Sequence, residues 1–152
     1  MKKVFLILLV ICLVYISGCQ ATGTQKDSSQ GFDYDRFQVT QEEIDVQHQK
    51  YGKKYCEATI YDDFEIGRII IKVYPFANHV EYTADDFAEV GCTGIYALEN
   101  VKEDVDKPTR SFIIEIRGST KQAVLDAIET LEKRADIYIA EPNYIYYPAV
   151  VG

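Results

Sequence analysis

Between Ser111 and Tyr144 the apolar residues change their period twice, and few folds satisfy both changes. "SFIIEIR", residues 111–117, puts Phe112, Ile114 and Ile116 on one face of a strand and Ser111, Glu115 and Arg117 on the other. "GSTKQAVLDAIETLEKR" then switches to helical spacing, with Val124, Ala127, Ile128, Leu131 and Ala135 along one stripe. Ser119 or Thr120 supplies its cap, and Lys133 and Arg134 stand at the negative end of its dipole. "DIYIAEPNY" returns to strand character and is expected to stop at Pro142, which has no N–H to donate.

The preceding stretch offers further elements. "GRIIIKVYP" is a β-branched run closed by Pro75, and "TADDFAEVG" predicts a helix capped by Thr83, with Asp85 and Asp86 in its first turn and Gly91 as its stop. "TGIYALENV" is a second strand, and "KEDVDKPTR" is a polar loop. The order strand, helix, strand, strand, helix, strand predicts an α+β, ferredoxin-like βαββαβ domain. That is a four-stranded antiparallel sheet with two helices on one face and the other face open. At about 85 residues such a domain can bury a core of its own.

The two ends carry other information. "MKKVFLILLVICLVYISGCQ" has the layout of a secretory signal: Lys2 and Lys3, an apolar run from Val4 to Ile16, then small residues. Thirteen helical residues reach about 20 Å, short of the roughly 30 Å needed to span a bilayer. "ISGC" resembles the lipobox of bacterial lipoproteins, which implies removal of residues 1–18, lipidation of Cys19, and an exported chain held to the outer face of the cell membrane. Residues 19–31 read as a flexible tether, reaching roughly 20 Å from the lipid. Loss of Lys2 and Lys3 moves the net charge from −8 to −10, which disfavours nucleic acid and anionic lipid as partners. In residues 32–63, Thr40 and Glu43 form a capping box that opens a short surface helix with Ile44 and Val46 as its apolar content. "CEATIYDDF" is a candidate short strand.

Cys56 and Cys92 are the cysteines left after processing. Export permits a disulfide between them, and two buried thiols are the ordinary alternative. No zinc spacing, calcium loop or cofactor motif is present. His48 and His79 lack partners in sequence and read as solvated residues. With no nucleophile elbow or triad arrangement, the chain reads as a binding protein and not an enzyme.

The runs beginning Gly67 and Thr120, and above all "AEPNY" after an amphipathic helix and strand, resemble the propeptide domain of subtilisin-like serine proteases, close to fervidolysin-type prodomains. The likeness covers about residues 64–147. It implies that the open sheet face packs on a subtilisin-like serine protease and that the carboxy-terminal tail lies in the protease's substrate cleft as an added strand. The cleft-binding stretch would then be Tyr144, Tyr146, Tyr147, Pro148, Ala149, Val150, Val151 and Gly152, while Glu141, Pro142 and Asn143 end the strand before it. The implied role is inhibitor or folding chaperone. The competing expectation is a cell-surface structural or interaction lipoprotein that reuses the fold with a non-protease partner.

Overall fold

β1, Phe64–Val73, is the strand around which the domain is built, pairing antiparallel with β3, Ser111–Ile116, on one side and with β4, Ile137–Tyr144, on the other. β2, Cys92–Ala97, pairs antiparallel with the far side of β3, so the sheet order is β2-β3-β1-β4. The computed structural model describes residues 32–98 and 109–147. The signal, tether and Cys19 expectations, and those on Pro148 to Gly152, therefore lie outside the described residues. All described strands and helices belong to the unit Asp33–Gly152, which has its own core and the make-up of a domain able to fold alone.

Alternation along β1 sends Ile69, Ile71 and Val73 to one face, each fully buried. Across the sheet, Ile69 faces Ile114 and Pro142, and Ile71 faces Phe112 and Ala140. Helix α3, Lys121–Leu131, lays Val124, Ala127, Ile128 and Leu131 over this face, with the Thr120 hydroxyl accepting from the Ala123 N–H as its cap. Each fully buried isoleucine contributes roughly 1.5–3 kcal/mol.

Several expectations change in three dimensions. The second covering helix is replaced by 3-10 turns over Ala84–Val90, kinked at Phe87 (φ −128°, ψ 28°), so the layer holds one regular α-helix and not two. Seven residues are too few to nucleate an α-helix unaided, and tertiary burial of the Phe87 ring sets the local geometry. Thr83 and Gly91 bound the segment as expected, Gly91 in the left-handed region, and the Asp86 carboxylate accepts from the Thr83 N–H (2.7 Å). β4 does not end at Pro142 but runs through it to Tyr144, because an edge strand tolerates a missing donor. β1 starts earlier than Gly67, which forms a bulge at φ 83°, where an added Cβ would stand 3.3 Å from the Ile116 carbonyl. Residues 56–63 form no strand. Their turn is closed by Asp62, whose carboxylate accepts from the Thr59 N–H (2.6 Å) and hydroxyl (2.9 Å).

The amino-terminal segment forms α1, Tyr34–Phe37, and α2, Gln41–Tyr51. The Thr40–Glu43 capping box is present, and Val46 is exposed, but Ile44 is buried together with Phe37 and Val39. A helix expected to lie wholly on the surface thus contributes core. Phe37 meets Phe76 edge-on, and residues 53–56 then pass beside β4, where the Lys54 N–H donates to the Tyr138 carbonyl (3.2 Å).

Candidate functional site

The face opposite α3 carries side chains that a solvated sheet would normally make polar. One row runs Tyr96, Ile113, Ile70, Glu141 from β2 to β4, and Lys72 beside Ile139 adds to it. Ile70, Ile113 and Ile139 are half-buried, and Tyr96 is 54% exposed. No described element crosses this face: α2 packs against a separate 3-10 turn, Pro75–Ala77, where Phe37 meets Phe76, and residues 53–56 run beside β4. The signal for this surface was legible in "RIIIKV" and "SFIIEI", where isoleucine occupies both phases of the alternation, yet only one phase entered the core prediction.

A polar border closes one end of the face. The Arg68 guanidinium donates to Glu115 (2.9 Å) and Glu65 (3.2 Å), which hold its pKa above the ordinary value, and Asn143 donates to Glu65 (2.8 Å). Within the expected strand-ending motif, Glu141 therefore lies on the open face, Pro142 is buried against Ile69, and Asn143 serves this border.

The tail leaves from the same end of the sheet. Tyr144 is half-buried, with its ring 6.5 Å from Phe64 and edge-on to it. The Ile145 N–H donates to the Asp63 carbonyl (3.0 Å), after which Tyr146 and Tyr147 are 87% and 73% exposed. Ile60, Tyr61 and Ile66, from the turn and strand beside this exit, are also exposed. They were not anticipated as part of the site, since only the fold brings the 59–66 stretch alongside residues 144–145.

On the covered side lies a second cluster of charges. Asp136, 2% exposed, accepts from Arg134 Nε (3.0 Å), Arg134 Nη2 (2.9 Å) and the Tyr82 hydroxyl (2.8 Å). Arg134 also donates to Glu89 (2.9 Å), and its guanidinium lies 4.6 Å from the Phe87 ring centre. Burial opposes the Arg134 charge, but these carboxylates hold its pKa above the ordinary value, while burial and Asp136 push the Tyr82 hydroxyl up. Arg36 pairs with Asp86 and donates to the Glu81 carbonyl (3.0 Å), and the Arg36 hydrogen bond draws the Asp86 carboxyl down to about 2. Arg134 is thus a tie between the 3-10 turns and β4, and not the dipole complement expected for α3. The cluster spends its groups on one another, which suits a clamp and not a reaction centre.

His48 is likewise not a solvated residue. Its Nε2 sits 2.8 Å from the Ala135 carbonyl, and its ring centre is 4.5 Å from that of Tyr74. His79 is exposed at the rim of an open depression of about 340 Å³ between Val39, Gln47 and Pro75. Cys56 and Cys92 are free thiols, raised in pKa by burial, one beside β4 and the other opening β2 at the opposite edge, so the disulfide left open by the sequence is not formed. Among the described residues no group of three or more His, Cys, Asp or Glu is placed to hold a metal ion, and no helix is long and apolar enough to cross a membrane.

Comparison of the chain with family models, with curated proteins and with solved structures returned no match.

Proposed function

We propose that this chain is a lipid-anchored extracytoplasmic binding module that engages a subtilisin-like serine protease as inhibitor or folding chaperone. Its fold is read as the ferredoxin-like split βαβ. The order β2-β3-β1-β4 is 4-1-3-2 from the other edge, and each crossover skips one strand position, as that topology requires. The observation that carries the function is the sheet face of Ile70, Ile113 and Ile139, left uncovered by residues 32–63. Uncovered apolar surface of this kind marks an interaction site. A protease surface would cover the face, while the tail from Tyr146 through Gly152 would enter the substrate cleft as an added strand; Tyr144, expected in that stretch, is instead held in β4 against Phe64. Cys19 is read as the lipid attachment that holds the module to the outer face of the membrane.

The test is inhibition of a subtilisin-type protease by purified residues 33–152. Slowing of peptide hydrolysis at micromolar concentration or below is expected, and removal of residues 146–152 is expected to abolish it. Equal inhibition by the shortened chain would eliminate the tail mechanism, and no inhibition by either would eliminate the inhibitory role.

A further inference from the structure

The two edges of the sheet are treated differently. β4 carries Glu141 and Pro142 and is attended by the Lys54 backbone. β2 has neither charge nor proline, and among the described residues it pairs on one side only. A bare strand edge is a template for another strand, and natural sheets usually guard it with charge, proline or a covering segment. The Leu98 N–H donates inward to the Ser111 carbonyl (2.9 Å), so by alternation the N–H and C=O groups of Ile95 and Ala97 point outward.

We propose that β2 pairs antiparallel with β2 of a second copy of this chain, about a two-fold axis at Tyr96. This register sets Tyr96 against its counterpart, and Ile95 against Ala97 of the other copy. Each Ile95–Ala97 pair exchanges two backbone hydrogen bonds. The arrangement keeps every side chain on its own face and avoids the irregularity between Cys92 and Gly94. Tyr96 falls at a non-hydrogen-bonded position, where cross-strand side chains approach most closely, and an aromatic pair there is favourable. That gives a ring partner to a side chain 54% exposed, whose hydroxyl donates to the Glu115 carboxylate (3.4 Å).

Charge selects a second copy over a foreign peptide. The chain has a net charge of −8, so two copies repel over most of their surface and can meet closely only where charge is absent. Residues 92–98 are such a place. The same lack of charge leaves nothing on the strand to select a peptide's sign or terminus, and an isologous contact needs only self-complementarity. In-plane pairing joins two four-stranded sheets and leaves both apolar faces open.

Sedimentation equilibrium of residues 33–152 tests this. The wild-type chain is expected to dimerise reversibly, and Tyr96→Phe to do the same. Tyr96→Lys and Tyr96→Glu, each alone, are expected to dimerise about tenfold more weakly, from like charges facing across the axis and loss of the ring pair. An equimolar mixture of the two is expected to associate as the wild type does, since lysine then faces glutamate. A monomeric wild type, charged variants that dimerise as well as the wild type, or a mixture no stronger than either variant alone would each overturn the proposal.

Discussion

The two faces of the sheet use nearly the same residues to opposite ends. In β3, Ile114 points to the covered face and is fully buried, while its neighbour Ile113 points the other way and is half-buried. In β1 the same contrast separates Ile69 and Ile71 from Ile70. Hydrophobicity therefore does not distinguish core from surface here; the placement of α3 and the 3-10 turns does. Where the chain covers its isoleucines it gains stability, and where it leaves them uncovered apolar area stays in contact with water.

The sharpest break of that comparison is a pair of truncations. Ile114→Ala is expected to cost about 2–5 kcal/mol in urea unfolding, because it removes a fully buried side chain and leaves a cavity. Ile113→Ala is expected to cost less, about 1–2 kcal/mol, because the side chain keeps some water contact in the isolated domain, and to weaken the proposed protease inhibition. Equal costs would mean that both faces are core.

A smaller effect tests the clamp on the covered side. Arg36→Ala is expected to cost about 1–2 kcal/mol at neutral pH. The Asp86 carboxyl sits at about 2 in the folded chain against an ordinary 3.8, so the folded state binds its proton less readily than the unfolded state. The stabilisation is complete above pH 3.8 and is lost as pH falls toward 2. Wild type and variant should therefore approach one another in acid and separate above pH 4, as read from unfolding free energies along a pH series. A gap independent of pH would remove the carboxylate from the explanation.

The smallest effect concerns Tyr138, 5% exposed, whose buried hydroxyl has no hydrogen-bond partner among the described residues. Tyr138→Phe is expected to leave stability unchanged or raise it by up to about 1 kcal/mol, because it removes an unsatisfied polar atom and keeps the ring packed edge-on to Tyr74. A loss above 1 kcal/mol would show that the hydroxyl has a partner in solution.

Local patterns settled local structure. The stripe from Val124 to Leu131, the Thr120 cap and the Thr40–Glu43 box lie where the residues placed them, because a helix end is decided by hydrogen bonds between residues three or four apart. The alternation of β3 likewise marked its buried face. Passage of β4 through Pro142 could not be read locally, since tolerance of a missing donor depends on which strand is an edge, and that depends on pairing between distant segments. Arg134 resembled a helix-dipole partner until the fold set Asp136, Glu89 and Tyr82 around one buried point. His48 met the Ala135 carbonyl across 87 residues of chain. By itself, then, the sequence determined element types, caps and the apolar supply of the strands. Tertiary structure decided which isoleucines were covered, which edge was left bare and which charges found partners, because each of these depends on contacts between segments far apart in the chain.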